Sequence, residues 1–148
     1  MVDRVGGRSA RPTDSTITGA DWYGQDLSGV VHERVLFQDL DLTEATGQGT
    51  RFVDCTFRGS SFASMVIGDS AFENCTFLRS SFFGATFTGC KFVGALFDSC
   101  RFDELRVEQG DWSFIALAGA DLRRVAFQGV RLREADLSGA RCERAVFT

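Results

Sequence analysis

Residues 70–102 read SAFENCTFLRSSFFGATFTGCKFVGALFDSCRF, and every fifth position in that run (Phe72, Phe77, Phe82, Phe87, Phe92, Phe97, Phe102) is phenylalanine. The phase persists on both sides. Before it come Ile17, Trp22, Leu27, Phe37, Leu42, Phe52, Phe57, Phe62 and Ile67; after it come Val107, Trp112, Leu117, Leu122, Phe127, Leu132, Leu137, Cys142 and Phe147. Only His32 and Gly47 break this large column. Two residues before each large position lies a smaller one, as at Ser70, Cys75, Ser80, Ala85, Cys90 and Ala95. A helix face recurs every 3.6 residues and a strand face every two, so an unbroken period of five belongs to neither. It specifies a solenoid of short, alike units.

Glycine marks where each unit bends. Eleven of the sixteen glycines fall two residues after the large column, from Gly19 to Gly139, and a residue tolerant of positive φ recurring at one phase marks a tight corner. Four such units close a square coil of twenty residues, with the small and large columns pointing inward. The fold class expected is all-β: a right-handed quadrilateral parallel β-helix of just under seven coils, on the order of 32 Å long at about 4.8 Å per coil. Stepping by twenty sets Phe37, Phe57, Phe77 and Phe97 in one inner ladder and Leu42, Phe62, Phe82 and Phe102 in the next. Gly47, between Leu27 and Ile67, predicts a local void or slight bend. Residues 1–14 hold the only proline and lack the phase, so they read as a flexible N-terminal arm, with the β-helix over 15–148.

Composition narrows the function. Thirteen of fifteen phenylalanines occupy the large column, and Phe83 and Phe114 point outward. The net charge of -4 argues against a basic nucleic-acid-binding surface. The chain has neither an apolar run of membrane-spanning length nor a signal-like start, so the protein is expected to be cytoplasmic, with no membrane partner. Cys55, Cys75, Cys90, Cys100 and Cys142 all sit at core phases and read as buried thiols; Cys55 and Cys75 are the one pair placed to stack. With a single histidine, His32, and no catalytic or metal-ligand cluster, the reading is of a protein that is not an enzyme and holds no cofactor or metal. An ice-binding solenoid needs flat threonine columns, and the column Thr16, Leu36, Thr56, Thr76, Leu96 breaks up.

Near-copies of an A-(D/N)-L-x-x unit occur at Ala20-Asp21-Trp22, Ala120-Asp121-Leu122 and Ala135-Asp136-Leu137-Ser138-Gly139. From residue 15 to 148 the chain resembles the pentapeptide-repeat family. The stretches Asp26-Leu27-Ser28, His32-Glu33-Arg34, Phe72-Glu73-Asn74-Cys75-Thr76-Phe77, Cys100-Arg101-Phe102 and Arg131-Leu132-Arg133-Glu134 resemble the fluoroquinolone-resistance subfamily, the mycobacterial type above all, with uninterrupted coils and no projecting loops. That resemblance implies a DNA-mimicking protein that binds DNA gyrase or a related type II topoisomerase, inhibiting it or protecting it from quinolone-type inhibitors, without binding nucleic acid itself. It also implies a homodimer through the C-terminal end, where the pattern reaches Thr148 in mid-coil; the joined rod is then about 65 Å long. The alternative is an interaction scaffold of the same family with another protein partner.

Duplex DNA carries one charge per about 1.7 Å, so a 32 Å rod imitating it evenly needs roughly nineteen. A net of -4 confines any mimicry to local acidic patches. The candidates are Asp21, Asp26, Asp39, Asp41, Glu44, Asp69, Asp98, Asp103, Glu104 and Asp121. The side bearing Asp21, Asp41, Glu44, Asp103, Glu104, Asp121 and Glu143 also bears Arg101, Arg123, Arg124, Arg141 and Arg144, so its acidic character lies in the earlier coils. Asp21, Asp26, Asp41, Asp111, Asp121 and Asp136 precede the large column directly, where a short carboxylate also serves to bond the adjacent turn.

Overall fold

The computed structural model describes residues 12–148, together with the backbone of Arg4–Val5 and Arg8–Ser9. The expected arm over 1–14 therefore falls largely outside the described residues. Asp14 is already tied to the coils: its amide donates to the Arg34 carbonyl at 2.7 Å and its carboxylate meets Arg34 Nε at 2.6 Å. From Ser15 onward all pairing is parallel and in a register of twenty, as in Phe37 beside Phe57 and Phe77 beside Phe97. A register of twenty and a period of five give four faces, numbered here from Ser15. The chain is the expected all-β, parallel quadrilateral helix of about seven coils.

The four faces are not built alike. Face 1 is a five-stranded sheet of Ser15–Thr18, Val35–Gln38, Thr56–Arg58, Thr76–Leu78 and Leu96–Asp98. Face 3 is a six-stranded sheet of Thr46–Gln48, Val66–Gly68, Thr86–Thr88, Arg106–Glu108, Ala126–Gln128 and Val146–Phe147. Face 4 is a sheet in its first coils, through Val31–Glu33, Arg51–Val53 and Ala71–Glu73, and continues as single bridges through Lys91, Asp111 and Arg131. Face 2 has no strand among the described residues. Single bridges hold it, from Asp21 through Asp41, Ser61 and Ser81 to Arg101, and from Asp121 to Arg141.

The residue just before the large column accounts for most of this difference. On face 3 it is β-branched in four of the six strands, as Thr46, Val66, Thr86 and Val146, whose branched Cβ favours extended backbone, and Arg106 and Ala126 extend in register with them. On face 2 it is an aspartate or a serine in five of seven coils, with Arg101 and Arg141 in the others; the aspartate or serine oxygen accepts the amide two residues on, Asp21 from Tyr23 at 3.1 Å, Asp41 from Thr43 at 2.9 Å, Ser61 from Ala63 at 3.3 Å. The large residue's carbonyl then accepts the amide three residues on, as Leu42 does from Ala45 at 3.0 Å and Phe82 from Ala85 at 3.1 Å. Backbone groups satisfied within the unit form a turn in place of a strand.

Every corner from Gly19 to Arg144 is left-handed, with φ between 47° and 75°. Fifteen of these corners are not glycine, and none of the fifteen is β-branched, in keeping with the steric limits of that region. Inside, each ladder stacks its rings nearly parallel: Phe57 and Phe77 at 5.2 Å and 6°, Phe62 and Phe82 at 4.7 Å and 4°. Rings of neighbouring faces meet edge-on, as Phe57 and Phe62 do at 5.1 Å and 73°. Both geometries suit the ring quadrupole. Each buried ring contributes about 1.5–3 kcal/mol of apolar stabilisation.

The void expected at Gly47 is absent. An added Cβ there lies 2.7 Å from Thr50 Oγ1 and 3.3 Å from Ile67 Cδ1. Thr50 is fully buried and donates to the Leu27 carbonyl at 2.8 Å, so a hydroxyl and a long aliphatic branch occupy the space. Other small-column groups also bond the preceding coil: Cys75 donates to the Phe52 carbonyl at 3.3 Å and Cys100 to that of Phe77 at 3.3 Å. All five thiols are free, Cys55, Cys75 and Cys90 are buried, and Cys142 is exposed.

Candidate functional site

The ten candidate acids do not form one patch. Asp39 and Asp98 lie on face 1, Asp26 and Asp69 on face 3, and the other six on face 2. They also hold three different stations within their units. Asp21, Asp26, Asp41 and Asp121 precede the large column, and each accepts the amide two residues on. Asp39, Glu44, Asp69 and Glu104 occupy left-handed corners. Asp98 and Asp103 follow the large column and stand outermost.

Face 2 divides into two ends. In its first two coils Asp21, Asp41 and Glu44 cluster without a base, and the Tyr23 hydroxyl donates to Glu44 Oε2 in a short hydrogen bond. That bond and the nearby carboxylates raise the Tyr23 pKa above its usual value. Asp26, at the adjoining edge of face 3, accepts both the amide and the hydroxyl of Ser28, at 2.9 and 2.7 Å, and the hydroxyl bond holds its pKa below the usual carboxylate range. The middle of the face, from Ser61 to Gly84, is uncharged, with Phe83 46% exposed. Tyr23 is a member of this group that the period does not reveal. Its link to Glu44 spans 21 residues and becomes visible only once the coil length is known.

The far end is mixed in charge. Phe83, Asp103, Asp121, Arg123, Arg124 and Glu143 line part of a concavity of about 710 Å³. Arg123 grips Asp121 with two nitrogens, Nε at 2.8 Å and Nη2 at 2.6 Å, and this bond lowers the Asp121 pKa to about 2. Arg101 and Asp103 approach to 3.6 Å. Phe83 thus heads a groove of paired charges, while Phe114 projects alone from a corner of face 4, 41% exposed.

His32 lies between the Trp22 and Phe52 rings, at 5.5 and 5.6 Å, and burial pushes its pKa down. It fills space in the first coils. Arg34 pairs with Glu33 at 3.5 Å as well as with Asp14. No group of three or more His, Cys, Asp or Glu residues with metal-holding geometry occurs among the described residues.

Residues 69–103, 100–139 and 116–148 match the family profile described as pentapeptide repeats (8 copies), which together span more than half of the chain. Full-length QnrB1, a plasmid-mediated fluoroquinolone resistance protein, superposes with a TM-score of 0.50 at 13% identity, over 90% of this chain and 91% of that one. A trypsin-treated form of QnrB1 gives 0.47 at 19% identity, over 90% and 72%. HetL, a pentapeptide repeat protein involved in heterocyst differentiation regulation in the cyanobacterium Nostoc sp. strain PCC 7120, gives 0.28 at 14% identity, over 92% and 87%. The likeness to full-length QnrB1 is one of fold. A search of curated proteins by sequence returned no match.

Proposed function

The chain belongs to the pentapeptide-repeat family, and from that premise we propose that it works by binding: it offers the acidic end of a rigid rod to DNA gyrase or a related type II topoisomerase. Bound there, it inhibits the enzyme or shields it from quinolone-type inhibitors. The observation that carries this reading is the cluster of Asp21, Asp41 and Glu44, with Asp26 at the adjoining edge, on a face that has no Lys or Arg before Arg101. A cationic DNA groove attracts phosphate charge, and carboxylates fixed by their own turns are preorganised to occupy such a groove. The motif resemblance to the fluoroquinolone-resistance subfamily selects the enzyme. A cytoplasmic location and an end-to-end homodimer belong to the same proposal, the second tested by sedimentation velocity.

A second reading, a scaffold for a different protein, is favoured by the far end of face 2. There the groove that Phe83 lines sets Asp121 against Arg123 and Asp103 near Arg101, with Arg124 and Arg144 beside them, and so does not resemble duplex DNA.

Supercoiling and quinolone-cleavage assays with purified gyrase test the first reading. They compare the unmodified chain with a variant carrying Asp21→Asn, Asp26→Asn, Asp41→Asn and Glu44→Gln, which removes four charges while each asparagine keeps its Oδ1 acceptor. The unmodified chain is expected to inhibit or protect, and the variant to need about tenfold more protein, equivalent to about 1.4 kcal/mol. No binding, inhibition or protection at micromolar concentration by the unmodified chain sinks the proposal. Equal potency of the two moves the contact away from the acidic end, and Phe83→Ser then tests the groove.

A further inference from the structure

Face 2 is complementary in charge to a reversed copy of itself. Its outward residues form seven rows twenty residues apart, from 21–24 to 141–144. The first two rows carry Asp21, Asp41 and Glu44 with no base, a charge of -3. The last two carry Arg123, Arg124, Arg141 and Arg144 against Asp121 and Glu143, a charge of +2. Asp121 is taken by Arg123, at 2.6 Å, whereas Arg124, Arg141 and Arg144 form no salt bridge among the described residues. Arg124 and Arg144 hold the same corner one coil apart, and like charges set side by side in this way repel. An acid brought against them from outside relieves that repulsion. Shape follows charge: the concavity lined by Phe83, Arg124 and Arg144 lies at the basic end, and Tyr23, 54% exposed, stands out at the acidic end. Between the ends the fourth row, 81–84, is uncharged and presents Phe83.

Two copies can meet through this face about either of two axes. A two-fold axis along the rod sets every row on its own copy, so that Asp41 and Glu44 meet Asp41 and Glu44, which is repulsive. A two-fold axis across the rod at the fourth row reverses the order of the rows: the first meets the seventh, and the second meets the sixth. Asp21 then faces Arg141, Glu44 faces Arg124, Tyr23 faces Glu143 at the concavity, and Phe83 meets Phe83 on the axis. The one meeting of acids, Asp41 with Asp121, takes place beside Arg123, which already neutralises Asp121. We propose that face 2 is a docking surface for a second copy of this chain, in an antiparallel, side-by-side pair. Such an interface is isologous, the same patch serving both partners. A strip one face wide and about 32 Å long belongs to the small, transient class of interfaces, so the pair forms at micromolar concentration. It covers the acidic cluster; if that cluster binds a topoisomerase, the single chain is the binding form and pairing withholds it. The pairing itself does not rest on that reading, because it is measured without any enzyme. An end-to-end pair, by contrast, leaves face 2 open and is indifferent to its charges.

A charge swap read by sedimentation velocity tests the pair. Glu44 and Arg124 lie four coils apart in one chain, roughly 19 Å at about 4.8 Å per coil, beyond the screening length of about 10 Å at about 0.1 M salt. They can therefore compensate each other only across two copies. At that salt Glu44→Arg and Arg124→Glu are each expected to raise the dimer Kd about tenfold, and the double variant Glu44→Arg, Arg124→Glu is expected to return to within about threefold of the unmodified chain. Both positions are exposed corners that carry Glu or Arg elsewhere in the chain, and circular dichroism verifies that every variant keeps the coils. Three results overturn the proposal: an unmodified chain that stays monomeric up to about 100 μM, a dimer whose Kd neither single change moves, and a double variant as weak as the single ones.

Discussion

Faces 2 and 3 bury the same kind of ladder against the same axis, yet one is a row of hydrogen-bonded turns and the other a six-stranded sheet. One position explains most of the difference. Where Asp or Ser stands before the large residue, its oxygen captures a local amide, and the unit closes on itself. Where Thr or Val stands there, the backbone extends and pairs with the coils on either side. The acids that make face 2 a candidate binding surface therefore also shape its backbone, and charge and conformation have to be separated by experiment.

The largest expected effect breaks the sheet end of that comparison. Gly110, on the step out of face 3, has φ 89°, and an added Cβ lies 2.3 Å from the Cys90 carbonyl oxygen and 2.8 Å from its nitrogen. Both are backbone atoms and cannot rotate away. Gly110→Ala is expected to cost about 3 kcal/mol or more, from overpacking and left-handed strain together, read as the shift in the urea midpoint. A cost below that of Gly84→Ala on face 2 refutes the account.

Gly110 also shows where sequence reading stops. The period of five yields the coil, the register, the two aromatic ladders and the division of charge among faces, because all of these follow from counting residues. It does not mark Gly110 as different from the alanines at the same phase, since the constraint comes from a backbone twenty residues away. It misplaces a void at Gly47 because the filling group, Thr50, belongs to another unit. The turn role of Asp21, Asp26, Asp41 and Asp121 was legible as chemistry. The absence of strands on face 2 was not, because it depends on most of a column acting together and not on one residue.

A smaller contrast sharpens the comparison at the corners. On face 2 a Cβ at Gly84 approaches only Ser64 Oγ, at 3.6 Å, whereas on face 3 a Cβ at Gly89 lies 2.7 Å from Asp69 Oδ1. Both corners are left-handed, so Gly84→Ala is expected to cost about 1 kcal/mol. Gly89→Ala is expected to cost about 2 kcal/mol, because the Asp69 carboxylate must also move. The excess is expected to disappear in an Asp69→Ala background, by the logic of a double-mutant cycle on thermal or urea stability. An excess that survives there assigns the cost to the backbone.

Separating charge from conformation on face 2 needs a smaller change still. Asp41→Ala removes the acceptor of the Thr43 amide and is expected to destabilise by about 1 kcal/mol, as loss of a cap does. Asp41→Asn keeps the acceptor and is expected to stay within about 0.5 kcal/mol of the parent. Equal losses in the two variants make the charge, not the hydrogen bond, the stabilising element.

The smallest effect is one of acidity, and it distinguishes the faces residue by residue. Asp121 has its pKa lowered from 3.8 to about 2, first by the Arg123 side chain and then by the Arg123 amide. A carboxylate depressed by folding stabilises the native state above its unfolded pKa, and that contribution is lost as pH falls through the folded value. The window for Asp121 is therefore about pH 4 down to 2. Global stability changes little there on account of this group, because solvent screens an exposed pair. The local turn does change. Between pH 5 and 2 the Arg123 amide is expected to shift in NMR spectra with a midpoint near 2, and this titration is expected to vanish in Asp121→Asn. At the matching station of face 3, Thr86 has nothing to titrate, so the Thr88 amide is expected to stay constant over the same range. If Arg123 and Thr88 respond alike, the acid effect belongs to the whole rod, and the carboxylate does not hold the turn.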